Sequence, residues 1–147
     1  MKDLLVGVDV GTTHLKVGVF DTEGALVAMA QRGCAPIHLP DGRVEVAPDL
    51  WWDAFTDSLQ ECLRAVDCSG VRAIAVSGQA QTYVLLNGGG NPVGPARSWL
   101  DATGDAAGTA AALSGRDYYA HTGWLQPSAL LAACKLRRGA EQQGAWP

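Results

Sequence analysis

Long apolar runs are missing from this 147-residue sequence. Nowhere do the roughly 18 consecutive apolar positions of a membrane-spanning helix occur, and the N-terminus, with Lys2 and Asp3, carries no apolar stretch of signal-peptide length. No membrane attachment is therefore expected, and a cytoplasmic location follows from that reading. Paired cysteines are missing as well. Cys34, Cys62, Cys68 and Cys134 are scattered without the close spacings of zinc or redox motifs, so free thiols are expected. His14, His38 and His121 are equally dispersed, which removes a metal cluster built from Cys and His. Nor is there an excess of positive charge. Eleven basic against 15 acidic residues give a formal net charge of −4, which excludes general attraction to nucleic acid or an anionic membrane. An anionic ligand must be held locally. Neither of the two familiar glycine-rich phosphate loops, GxxxxGK[ST] or GxGxxG before a helix, is found.

What is present is a soluble composition, 48% hydrophobic, of one-domain length. Its most informative stretch is Val6 to Asp21. Leu4 to Val10 is a near-continuous apolar run broken by Gly7 and Asp9, the pattern of a strand buried on both faces. It delivers Asp9 into the turn Gly11-Thr12-Thr13, after which a second apolar run begins. Asp9 at a strand end suits a hydrated magnesium ion, which takes a few carboxylate oxygens and keeps several waters. Gly11 permits close backbone approach, Thr12 and Thr13 offer amides and hydroxyls to phosphate oxygens, and Lys16 adds a positive charge just beyond the turn. The segment reads as a phosphate-binding β-hairpin, against the plainer alternative of an ordinary hairpin with a polar turn.

Asp21-Thr22-Glu23-Gly24 is a turn signal before a third strand, Ala25 to Arg32, so the chain opens as a three-stranded antiparallel meander. Pro36 to Gly42 reads as a loop and Arg43 to Val46 as a short extended piece, both on the surface. Pro48-Asp49 starts a helix whose apolar face comprises Trp52, Phe55, Leu59, Cys62, Leu63 and Val66, ending at Ser69-Gly70. Trp51 and Trp52 are expected to pack rather than to touch a ligand. Val71 to Val76 follows as a buried strand running into Ser77-Gly78-Gln79, completing a β-α-β passage. Thr82 to Leu86 is another strand candidate, and Asn87 to Pro92, with three successive glycines, reads as a hairpin turn rather than a phosphate cradle. Asp105 to Leu113 is a helix and Tyr118 to Gly123 a short helical turn. Ser128 to Arg138 is a last helix, capped by Ser128 and stopped at Gly139.

Two segments add a second kind of chemistry. Gln79 and Gln81 lie just beyond a strand, and Ser98-Trp99-Leu100-Asp101 sets an indole beside a carboxylate at another strand end. Polyols are held by bidentate donors and acceptors, with an aromatic face over their C–H side. Gln81 reads equally as a substrate contact or a solvated turn residue, and Asp101 equally as a substrate contact or a helix N-cap.

The run D-x-G-T-T-x-x-K at Asp9 to Lys16 resembles the first phosphate motif of the sugar kinase, Hsp70 and actin superfamily, specifically the FGGY carbohydrate kinases. Asp49-Leu50-Trp51-Trp52, Ser77-Gly78-Gln79 and Trp99-Leu100-Asp101 follow in that family's order, and Tyr118 to Gly123 with the helix of Lys135 and Leu136 extend the resemblance over residues 4 to about 138. It implies an α/β chain of ribonuclease H-like (actin-like ATPase, sugar kinase) fold, with ATP and Mg2+ as cofactors and a sugar or polyol as substrate. Asp9 would hold the metal, Gly11, Thr12, Thr13 and Lys16 the phosphates, and Gln79, Gln81, Trp99 and Asp101 the sugar. The sequence departs from the family's pattern in places. Ala80-Gln81 replaces the Met-His of many xylulose kinases, which leaves the sugar open, and Ala102-Thr103 stands where an arginine usually follows W-x-D, so a cation to orient the carboxylates is expected to be missing. Such kinases have two domains, and their catalytic aspartate lies beyond the equivalent of Pro147. Residues 1–147 therefore read as a partial N-terminal domain, without a catalytic residue and inactive alone, and Gly144 to Pro147 do not read as a natural domain end. A sheet cut before its remaining strands predicts weak self-association, homo-oligomers included, or poor solubility. The alternatives are an actin-like or Hsp70-like nucleotide module and a stand-alone binding or regulatory domain.

Overall fold

A computed structural model of the protein describes residues 2–143. It falls into two compact units, Met1–Pro36 with Val46–Gln79, and Ile37–Glu45 with Ala80–Pro147. Among the described residues no helix is long and apolar enough to cross a membrane.

Unit 1 is built on the expected meander. Strands β1 (Leu4–Val10), β2 (His14–Asp21) and β3 (Leu26–Gly33) pair antiparallel in sequence order. Helix α1 (Pro48–Arg64) is the crossover that brings β6 (Val71–Gly78) parallel to β1, giving the strand order β3-β2-β1-β6. Alternation along the strands explains the core. Leu4, Val6 and Val8 of β1 and Leu15, Val17 and Val19 of β2 are buried with Ala54 and Cys62 of α1, and Trp51, Phe55 and Leu59 pack against them. Each fully buried Val or Leu contributes roughly 1.5–3 kcal/mol. Pro48 stands in the first helical turn, where its missing N–H costs nothing, and Asp49 faces the positive end of the helix dipole.

Several expectations change here. β1 is not buried on both faces: Leu5 and Asp9 are exposed, because α1 covers one side of the sheet. β6 is likewise no buried strand. It is an edge strand, α1 packs on β2 and β3 instead, and Val76 stays 69% exposed. Trp52 is 65% exposed and tilts against Phe55, so of the tryptophan pair it is Trp51 that packs on the core. α1 ends at Arg64, and Ser69-Gly70 belong to a separate 3-10 turn whose Asp67 side chain accepts from the Ser69 N–H.

Unit 2 carries the short strand β4 (Ile37–His38), the start of β5 (Val44–Val46) and β7 (Ala96–Arg97), in the order β4-β5-β7. β5 is the middle strand, so Val44 and Val46 are buried rather than on the surface as expected. Thr82 to Leu86 forms single bridges, Tyr83 to Arg97 and Leu86 to Pro92, instead of a regular strand. The glycine run between them is a turn, as expected: the Asn87 side chain accepts from the Gly89 and Asn91 amides. Helix α2 (Ala106–Ala112) is capped by Asp105, and α3 (Tyr118–Thr122) ends at Gly123 in the left-handed region with φ 73°. Helix α4 (Ala132–Gln143) begins after Ser128 and runs through Gly139. A glycine without the left-handed conformation costs about 1 kcal/mol in a helix and does not stop it. Gly144 to Pro147, read above as an unnatural domain end, lie outside the described residues.

Candidate functional site

In unit 1 the hairpin turn is shaped by one glycine. A Cβ on Gly11 would sit 2.7 Å from the His14 carbonyl oxygen, so only glycine lets the chain close between Val10 and His14. The turn is held from below. The Cys34 N–H donates to the Thr13 carbonyl at 2.8 Å and its thiol to the Gly11 carbonyl at 3.5 Å. Burial pushes that thiol above the ordinary cysteine value, with the Asp9 charge adding to the rise, so Cys34 is a packing group rather than a nucleophile. Gln79, just beyond β6, closes the other side: its main-chain N–H donates to the Val10 carbonyl and its side-chain Nε2 to the Gly11 carbonyl, both at 3.3 Å.

Asp9 and Lys16 stand directly opposite each other on β1 and β2. Their ion pair spans 3.4 Å with side chains 53% and 49% exposed, a loose contact that leaves both groups open to a ligand. Beside them the sheet carries a hollow of about 320 Å3, walled by Phe20, Leu26 and Met29 and floored by Gly7 and Gly18.

Unit 2 treats its carboxylate differently. Asp101 is fully buried and accepts four hydrogen bonds. The Thr103 amide and hydroxyl occupy Oδ1 at 2.8 and 2.6 Å, and the Arg97 guanidinium and the Val44 N–H occupy Oδ2 at 2.9 and 3.2 Å. Burial pushes the carboxyl up, but the Thr103, Arg97 and Val44 donors outweigh it and hold it below the usual range. Arg97 also reaches Glu45 at 3.4 Å, and Glu45 takes Arg43 at 3.0 Å. The expected lack of an orienting cation is thus corrected: Arg97, upstream on β7, supplies it, while Thr103 fills the second oxygen. Trp99 is 40% exposed, and its main-chain N–H donates to the Thr82 hydroxyl at 2.9 Å. Gln81 adopts φ 62°, uncommon outside glycine, and its side-chain oxygen accepts from the Ala132 N–H at 2.8 Å, capping α4.

Residues 4–128 match the family model described as FGGY family of carbohydrate kinases, N-terminal domain. The chain belongs to the FGGY carbohydrate kinases. It is 31% identical to the xylulose kinase of Staphylococcus xylosus over 97 residues, 66% of this chain and 20% of that protein. To the glycerol kinase of Aquifex aeolicus it is 33% identical over 99 residues, 67% of this chain and 20% of that protein. The ligand-bound xylulose kinase of Lactobacillus acidophilus superposes with a TM-score of 0.69 at 26% identity, covering 82% of this chain and 25% of that one. The chain thus spans about a fifth of the length of the curated relatives it matches. Its fold is that of the sugar kinases within the actin-like ATPases, as the ordered motifs imply.

The structure sorts the sequence-derived residues of this FGGY chain into two groups. Asp9, Gly11, Thr12, Thr13 and Lys16 share the hairpin of unit 1, and Gln79 joins them rather than the other proposed sugar residues. Gln81, Trp99 and Asp101 lie in unit 2. Sequence reasoning missed Arg97 as the partner of Asp101, because it looked for a cation only after the aspartate. The signal was an opposite-charge pair on neighbouring strands, Glu45 on β5 and Arg97 on β7. It also missed Lys135 as anything beyond a helix landmark.

Proposed function

We propose that this chain is the N-terminal, phosphate-gripping part of an ATP-dependent carbohydrate kinase that transfers the γ-phosphoryl group of ATP to a hydroxyl of a sugar or polyol. The observation that carries the reading is the hairpin. Gly11 lets the turn close tightly against the His14 carbonyl oxygen, the Thr12 and Thr13 turn stands at its tip, and Asp9 and Lys16 face each other with half of each side chain open. The donor set fits Mg2+ that keeps most of its waters, since a single accessible carboxylate projects there and no group of three or more metal-ligating side chains exists among the described residues. When bound, the ion neutralises charge on the phosphates. Asp9 holds the hydrated ion, the turn amides and hydroxyls donate to phosphate oxygens, and Lys16 stabilises the negative charge that shifts during transfer. Gln79 keeps the turn in shape through the Gly11 carbonyl.

In unit 2, Trp99 offers a half-open indole face for the C–H side of a sugar. Gln81 has committed its oxygen to α4 and retains its amide N–H groups as donors. Asp101 shapes the turn that bears Trp99, both its oxygens already taken by donors of the chain itself. The family's proton-accepting aspartate is not among these residues, so the 147 residues alone are expected to turn nothing over.

The test is an assay of sugar-dependent ADP formation against xylulose, gluconate and glycerol. The complete reading frame that contains this chain is expected to be active on one of them, and the 147 residues alone on none. An inactive complete enzyme that also shows no Mg·ATP-induced shifts at the Gly11 to Lys16 amides overturns the reading.

A further inference from the structure

Lys135 is an anomaly that the proposed chemistry does not use. It projects from the first turns of α4, is 4% exposed, and has no carboxylate in ion-pair range among the described residues. A buried ammonium without a counter-ion is costly unless hydrogen bonds replace its water. Here they are supplied by two carbonyls from separate parts of the chain: Nζ donates to Ser98 O at 2.7 Å and to Gln81 O at 3.3 Å, and lies 5.9 Å from the Tyr83 ring centroid. Those carbonyls belong to the residue before Trp99 and to Gln81 itself. α4 grips Gln81 twice, because the Ala132 N–H takes its side-chain oxygen while Lys135, one turn on, takes its main-chain oxygen. The double grip explains how a non-glycine residue is held at φ 62°.

We propose that Lys135 is a positioning residue for the substrate: its ammonium ties the Gln81 loop to the Trp99 loop and so sets the spacing between a hydrogen-bond donor and an aromatic face that a sugar must span. The inference rests on the sugar-kinase reading of Gln81 and Trp99. Lys135 is 4% exposed and donates to the Ser98 and Gln81 carbonyls, so its role runs through those two loops. A methionine of similar volume would fill the space but leave both carbonyls without their donor, and an arginine would restore charge and donors.

The charged surroundings are defined. Arg97 and Asp101 lie near the ammonium, and Asp41, Arg43, Glu45 and Arg138 line the cavities that adjoin it. Burial pulls Lys135 below the ordinary lysine value of 10.5, Asp101 opposing and Arg97 adding to the fall. Burial of Tyr83 pushes that phenol above 10.0, so the two titrate in opposite directions from their ordinary values, and Tyr83→Phe removes the phenol from the profile.

The experiment uses the whole chain labelled with 5-fluorotryptophan, the Trp99 resonance being assigned with Trp99→Phe. In the wild type, and in Tyr83→Phe, that resonance is expected to step at a pH below 10.5. The step is expected to vanish in Lys135→Met and Lys135→Arg. Titration with xylulose, gluconate and glycerol is expected to give a saturable Trp99 shift that weakens at least about tenfold in Lys135→Met, the equivalent of one charge-assisted hydrogen bond, and stays within about threefold in Lys135→Arg. Mg·ATP shifts at the hairpin amides are expected to be unchanged in both. A packing role alone would lower the melting temperature without the pH step or the rescue by arginine. A Lys135→Met chain that binds sugar as the wild type does overturns the proposal, and so does a wild-type resonance that does not step, a result that needs no variant to fold. A wild type that steps but responds to no sugar overturns the sugar reading of Gln81 and Trp99, and reduces the Lys135 contacts to packing.

Discussion

Asp9 lies at the end of β1, whereas Asp101, expected at a strand end, follows a turn after β7, and the two carboxylates sit in opposite environments. Asp9 is half open, with one loose partner, Lys16, at 3.4 Å. Asp101 is fully buried and has all its acceptor capacity used by Thr103, Arg97 and Val44. A group that must receive a metal or phosphate needs accessible valence, while a group that fixes a loop needs none to spare. The two units thus hold these carboxylates differently: Asp9 is open to solvent in the first, and Asp101 is committed to internal donors in the second, which on the proposed reading separates ligand capture from loop scaffolding.

The contrast breaks most readily at Asp101. Asp101→Ala removes the acceptor from a partly buried arginine and from a buried N–H, and is expected to cost about 3–5 kcal/mol in urea unfolding. Asp9→Ala is expected to cost less than about 1 kcal/mol in the same measurement and to abolish the Mg·ATP shifts of the hairpin amides. Equal costs would dissolve the distinction. Acid sharpens it. The donors hold Asp101 below its ordinary 3.8, so its contribution is fully present above that value and is lost as the pH falls through the lower folded-state value. Asp101→Asn is expected to remove that part of the acid dependence, which stability measured from pH 5 to pH 2, roughly the carboxylate range, would reveal.

The hairpin was legible in the sequence because its chemistry is local. Asp9, Gly11, Thr12, Thr13 and Lys16 fall within eight residues, and strand alternation alone puts Asp9 and Lys16 on one face once the turn is placed. Burial was less legible. The apolar runs of β1 and β6 suggested strands covered twice, but run length does not report which strands a helix crosses, and α1 lies over β2 and β3. The surroundings of Asp101 were only partly legible: Thr103 and Arg97 lie 2 and 4 positions away, but the Val44 N–H comes from a strand 57 residues upstream. Gln79 and Gln81, two positions apart, read as one pair. The structure gives Gln79 to the hairpin and Gln81 to the start of α4, because a left-handed residue at 81 redirects the chain.

Gly11→Ala tests the open side of the comparison next. Its added methyl meets the His14 carbonyl oxygen at 2.7 Å, a backbone atom that moves only if the turn opens. The expected cost is about 1–3 kcal/mol in urea unfolding, together with loss of the Mg·ATP shifts. A variant that keeps both stability and shifts would mean that the turn has slack and that its shape is not selected by a ligand.

The smallest effect on stability, and the most discriminating, belongs to Lys16→Ala. A loose cross-strand pair with half-exposed partners is worth no more than about 0.5 kcal/mol, since water already screens both charges. A lysine kept there for the fold would therefore contribute almost nothing. One kept for a phosphate acts when the ligand excludes that water, and its removal is expected to weaken Mg·ATP binding by about tenfold while leaving urea unfolding unchanged. The deficit is expected to shrink as salt is raised, because a point charge on phosphate is screened within a Debye length of about 10 Å at 0.1 M. If Lys16→Ala instead lost stability and kept its ATP affinity, the Asp9–Lys16 pair would be scaffolding like Asp101 and Arg97, and both units would be using their carboxylates in the same way.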